Sequence, residues 1–144
     1  MNENLQSLEM LFENYNNFIQ ILDKIQKVPE YYKKVNTTPQ YEGASHIEKN
    51  RTRGFDYYET ERGEIYVHKK NLDMNNTLYL LLNEVTHSLA SKFSAKNQKV
   101  NPNHDFRKVM FERQEYLMGL LNKDREQRLK EYHDNVLKKY LYED

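Results

Sequence analysis

The 144-residue chain has no cysteine, which excludes disulfides, thiolate metal sites and cysteine nucleophiles. Any metal would have to be held by histidine, carboxylate, amide or water. The chain also lacks net charge, with 22 basic and 22 acidic side chains. A dedicated nucleic-acid binder neutralises phosphates with a basic excess, so a nucleic-acid partner has no support from net charge and would need a local basic patch. Glycine is scarce, and its four copies are scattered, so there is no glycine-rich phosphate loop. No run approaches about 18 consecutive apolar residues, and no membrane span or membrane partner is expected. Met1 to Glu13 carries acids instead of a basic start and an apolar run. The expectation is an unsecreted, intracellular protein, cytoplasmic or in the nucleus of a host cell.

What is present is a polar but globular composition, 38% hydrophobic and 31% charged. Much of the apolar content is aromatic, with twelve tyrosines and six phenylalanines. A tyrosine buries its ring and keeps its hydroxyl wet, so a polar mean hydropathy understates the core available. No repeat, low-complexity tract or linker divides the chain, and residues 1–144 read as one domain.

Apolar residues at alternating spacings of three and four predict an N-terminal helix within residues 1–28, with Leu5, Leu8, Phe12, Tyr15, Ile19 and Leu22 on one stripe and Leu11, Phe18 and Ile25 widening it. Pro29 ends it. Residues 30 to 53 show no clear period and read as loop, with His46 and the run Lys49 to Arg53 solvated or facing an anion. Two β-prone stretches follow, 55–59 and 64–68, separated by Thr60-Glu61-Arg62-Gly63, in which Gly63 can supply a left-handed turn residue. Asn75-Asn76-Thr77 offers capping oxygens to a helix with Leu78, Leu81, Leu82, Val85 and Leu89 on one face. Another helix carries Phe106, Val109, Met110, Tyr116, Leu117 and Leu120 and ends near Gly119 and Asn122. A C-terminal helix at 123–142 carries Leu129, Tyr132, Val136 and Tyr140, with His133 on its surface.

One segment bears chemistry: Asn83-Glu84-Val85-Thr86-His87. Zinc peptidases set two histidines four apart on a helix, where both point the same way, and a glutamate after the first takes a proton from the metal-bound water. Here Glu84 and His87 occupy the general-base and second-histidine positions, and Asn83 the first. Alone, a Glu-x-x-His pair on a helix is a weak signal. Its surroundings add a strand Glu64 to His68, the apolar run Leu78-Tyr79-Leu80-Leu81-Leu82, and Asn103-His104-Asp105-Phe106 opening the next helix. From residue 63 to 120 this order resembles the minimal zincins of the WLM and SprT-like group, including their short viral versions.

The resemblance implies an α+β, mainly helical fold, with a zincin-like core of the minimal gluzincin or SprT-like type at 55–120, a small antiparallel sheet and an active-site helix. It implies Glu84 as catalytic base, His87 and His104 as zinc ligands with the Asn83 amide as a poor further donor, and Tyr66 and His68 on a strand that could pair with an extended protein or peptide substrate. The sequence departs from the family at Asn83, whose neutral amide grips zinc less well than imidazole, and at His104, which stands unusually close to Phe106. These departures point to weak zinc binding and to a decayed, weakly active or inactive peptidase homologue with a binding or regulatory role. Two other readings stay open. One is an active metal-dependent peptidase using His87, His104 and a non-standard ligand such as Asp105 or Glu112. The other is a helical protein-interaction module unrelated to peptidases.

Overall fold

In the computed structural model, which describes residues 3–40, 43–51, 54–97 and 106–140, the α+β and mainly helical architecture expected from the sequence is present. The elements in order are α1 (Glu3–Ile25), a 3-10 turn (Glu30–Lys33), β1 (Ser45–Lys49), β2 (Phe55–Glu61), β3 (Glu64–Leu72), α2 (Met74–Asn97), α3 (Phe106–Leu121) and α4 (Lys123–Lys139). The chain divides into two compact units. One takes Met1–Gln20 and Pro29–Leu81, the other Ile21–Val28 and Leu82–Asp144.

The first unit is built on an antiparallel sheet of order β1-β2-β3. Arg62 and Gly63, both at positive φ (52° and 78°), make the two-residue turn between β2 and β3 that matches the right-handed twist of the flanking strands. Ile47 pairs with Tyr57 and Lys49 with Phe55 across β1 and β2, and Ile47, Tyr57 and Phe55 are buried. Leu11, Tyr15 and Ile19 of α1 and Leu78, Tyr79 and Leu81 of α2 complete this unit's core. Each such side chain taken out of water contributes about 1.5–3 kcal/mol. The buried stripe of α1 is narrower than its sequence pattern, because Phe12 is exposed.

Irregular pairing shapes the far end of β3, where the β2–β3 register shifts between Phe55 and Tyr57 and again between Tyr57 and Tyr58. Asp56 holds this region. Its Oδ1 accepts from the Asn71 N–H at 2.9 Å and from Asn50 Nδ2 at 3.1 Å. Burial pushes the Asp56 carboxyl up, but these bonds and the nearby Lys70 charge outweigh it and leave the group below its ordinary value. Gly54 is required here, since a Cβ would lie 2.8 Å from Asn71 Cα.

Asp73 caps α2, accepting from the Asn76 N–H at 2.7 Å through Oδ1, and its carbonyl accepts from Thr77 Oγ1 at 2.7 Å. The helix therefore starts before the Asn75–Thr77 segment named from the sequence.

In the second unit Leu22, Val28, Leu82, Val85, Leu89, Ala90, Phe111, Leu117, Met118 and Leu129 form the core. Asn122 joins α3 to α4. Its N–H donates to the Met118 carbonyl, and its Oδ1 accepts from the Arg125 N–H at 2.9 Å, closing one helix and capping the next. The buried face of α4 is Arg125, Leu129 and His133, at i, i+4, i+8. Tyr132 and Tyr140, expected on the apolar stripe, are exposed.

Candidate functional site

Glu84 and His87 lie on α2 as their spacing predicts, Glu84 half-buried and His87 exposed. Asn83 is tied into the second unit. Gln114 Nε2 donates to Asn83 Oδ1 at 2.7 Å, and its protons also face the Asn83 carbonyl at 3.1 Å and Thr86 Oγ1 at 3.2 Å. Thr86 in turn donates to the Leu82 carbonyl at 2.8 Å. His104 and Asp105 lie outside the described residues, and the described residues bring together no cluster of three or more His, Asp or Glu fit to hold a metal. Tyr66, on β3, is exposed, and its hydroxyl donates to Glu64 at 2.8 Å. His68 lies on the same strand, its side chain outside the description.

The residue that sequence reasoning misplaced is His133. It is buried and stacks flat on Phe111, with ring centroids 3.9 Å apart and 3° between planes. Nδ1 meets Glu115 Oε2 at 2.7 Å, and Nε2 faces Gln114 Oε1 at 3.2 Å. The Gln114 orientation follows from its donors, which are aimed at Asn83 and Thr86, so its oxygen is the end that faces His133. The neutral ring donates from Nδ1 to the Glu115 carboxylate. A second proton, on Nε2, would let it donate to Gln114 as well. Burial opposes that extra charge and holds the imidazole below its ordinary value, with His87 acting in the same sense and Glu115 against it. The chain of contacts Thr86–Asn83–Gln114–His133–Glu115 thus links α2, α3 and α4 through polar groups. It is an interior polar network whose Nε2–Gln114 contact becomes a hydrogen bond only when Nε2 carries a proton.

His46 was also expected in a solvated loop. It is buried on β1, stacked on Tyr58 at 5.0 Å, with Nε2 against Glu48 at 2.8 Å.

At the surface the second unit offers aromatic and aliphatic groups on α3, on α4 and just past its end: Tyr116, Leu120, Tyr132 and Tyr140 are each at least 40% exposed. Arg113 lies over two rings, its guanidinium 4.3 Å from the Phe93 centroid and 5.3 Å from that of Tyr116. Exposed tyrosine with arginine held on aromatics is the side-chain composition of protein-binding surfaces.

A family model for immunity protein 63 matches residues 50–135, more than half of the chain. The chain belongs to the immunity protein 63 family. The match runs from just before β2 through most of α4, so it takes in Asn83, Gln114, Glu115 and His133 as well as the exposed tyrosines of α3 and α4 up to Tyr132. Neither a curated protein nor a solved structure matches the chain.

Membership overturns the resemblance to WLM and SprT-like zincins, and with it the readings of the chain as a decayed or an active zinc peptidase. The resemblance rested on a five-residue helical segment and an element order. In the fold, Asn83 and Thr86 of that segment join an interior hydrogen-bond network through Gln114. The reading nearest to the family is the remaining one, a protein-interaction module.

Proposed function

We propose that the chain is an immunity protein that binds a cognate toxin protein and thereby blocks its action on the cell. The observation that carries this is the immunity protein 63 match over residues 50–135. The surface chemistry supports it, because tyrosines and Arg113 offer rigid amphipathic contact area and bidentate donors to a protein partner. Function by binding asks for no bond-making step. It asks for a surface that stays pre-formed, and the Gln114–His133 network supplies stiffness beneath α3 and α4 by fixing their side chains from inside. Among the described residues no helix is long and apolar enough to cross a membrane, so the proposal needs none.

Growth rescue tests it. Candidate toxin domains from the source genome are expressed one at a time to arrest growth, and this chain is co-expressed with each. Rescue against one toxin, with a complex recovered between the two purified proteins, is the expected result. Rescue against none, with no complex formed, refutes the immunity reading.

A further inference from the structure

Three segments of the second unit converge on Arg113. Its Nε and Nη2 both donate to Gln26 Oε1, at 3.2 Å and 3.0 Å, and Gln26 in turn donates from Nε2 to the Leu89 carbonyl at 2.7 Å. The end of α1, the second half of α2 and α3 are thereby joined around one guanidinium. That guanidinium also covers the Phe93 and Tyr116 rings. Half-buried between two aromatic faces and a fixed acceptor, it has lost most of its rotamer freedom before any partner arrives. Nη1 has no hydrogen-bond partner among the described residues, so donor capacity remains.

The surroundings are basic. Lys24, Lys92, Lys96 and Lys108, one or two on each converging segment, are exposed. Of the acids on those segments, Asp23 is exposed and accepts from the Val28 N–H, Glu115 faces His133, and Glu112 is exposed beside Arg113. Tyr116 is 46% exposed at the rim.

We propose that this Arg113–Phe93–Tyr116 surface is the docking site for the toxin, and that it takes a carboxylate side chain flanked by an apolar residue. The proposal rests on the immunity reading and adds to it a place and a chemistry. The Nη1 end of the Arg113 guanidinium donates to a carboxylate, the exposed Tyr116 edge covers the neighbouring apolar group, and the lysines attract an acidic segment during encounter. A pre-organised arginine among aromatics is the kind of group that dominates binding, because little ordering cost is left to meet on association.

The test uses the full chain and the toxin domain against which it rescues growth, with affinity measured by calorimetry at low and high salt. Arg113→Ala is expected to weaken binding roughly 30-fold or more, and Arg113→Lys, which keeps the charge and loses the fork, by an intermediate factor. Tyr116→Ala and Lys92→Glu, at exposed positions that leave the fold intact, are expected to cost about 5- to 10-fold, with Lys92→Glu also flattening the salt dependence. If Arg113→Ala unfolds the protein, Tyr116→Ala and Lys92→Glu decide. Tyr116→Ala and Lys92→Glu proteins that bind the toxin as tightly as the unchanged chain overturn the docking site and leave the immunity reading standing. An unchanged chain that neither rescues nor binds any toxin overturns both. Binding of an RNA oligonucleotide that is lost in Arg113→Ala, with toxin affinity unaffected, overturns the proposal in favour of a nucleic-acid surface.

Discussion

Replacing Gln114 by leucine keeps the volume of a side chain that is 2% exposed and removes its amide. Four contacts go with it: those to Asn83 Oδ1, the Asn83 carbonyl and Thr86 Oγ1, and the approach of its Oε1 to His133 Nε2, a bond only in the protonated ring. They are not equal. The Asn83 carbonyl lies within α2 and keeps its place in the helical ladder, and Thr86 still donates to Leu82. Asn83 Oδ1 is half-buried and can recover water. Counting the short bond to Asn83 Oδ1 at about 1–1.5 kcal/mol, with a part of that for the longer contacts, gives a loss of about 2 kcal/mol. Against a typical stability of about 5–15 kcal/mol this is large. With a urea dependence of about 2 kcal/mol per molar, the midpoint should fall by about 1 M. Far-UV circular dichroism through a urea titration reads it, with Gln114→Glu as a second variant that preserves the acceptor facing His133. A midpoint for Gln114→Leu within about 0.3 M of the unchanged protein would mean that the network adds nothing net and that apolar filling replaces it at no cost.

Two further predictions follow from other parts of the fold. Because burial holds the folded His133 below its ordinary value of 6.5, the unfolded chain binds more protons in the interval between the two; its contribution is complete above 6.5 and is lost as pH falls through the folded value. The urea midpoint should therefore drop from about pH 8 to about pH 5 by less in His133→Asn than in the unchanged protein, and equal drops would exclude the ring as the titrating group. Gly54→Ala should destabilise the first unit by about 1–3 kcal/mol, since the new methyl would meet Asn71 backbone atoms at 2.8 and 2.9 Å, whereas Gly119→Ala meets only the movable carboxyl end of Glu126 and should cost less; thermal melts of both variants compare them.

Much of the architecture was legible because it rests on local periodicity. The α1 stripe, the β2–β3 turn at Arg62-Gly63 and the α3–α4 break at Asn122 each have their cause within a few residues of themselves. β1 was not legible. Its sequence Ser-His-Ile-Glu-Lys mixes charge with a single aliphatic residue, and its strand character comes from pairing with β2, a tertiary cause. His133 escaped for a related reason. It stands in a charged run, and only the spacing of four from Leu129, itself four from Arg125, hints that it faces inward. Apolar tyrosines at 132 and 140 drew the helical stripe one face away from the true one. At the candidate site, Glu84 and His87 were placed correctly on α2, but a spacing common to many helices was given the chemistry of a peptidase. The residues of the proposed docking surface, Arg113 and Tyr116, carry no sequence signature. Their meaning comes from Gln26 and Phe93, which lie far away along the chain.

The buried face of α4 also decides how that helix can be aligned. A helix packed by leucines alone can slide along its neighbour by one turn and find a similar surface. Arg125, Leu129 and His133 are not interchangeable. A one-turn slip would bring Leu129 or the half-buried Leu137 opposite Glu115 and Gln114, leaving a carboxylate and an amide oxygen facing hydrocarbon and carrying His133 away from Phe111. Misaligned pairings of α3 with α4 are thus penalised by polar mismatch, not by loss of buried area, so a single alignment is selected even where several would be equally greasy.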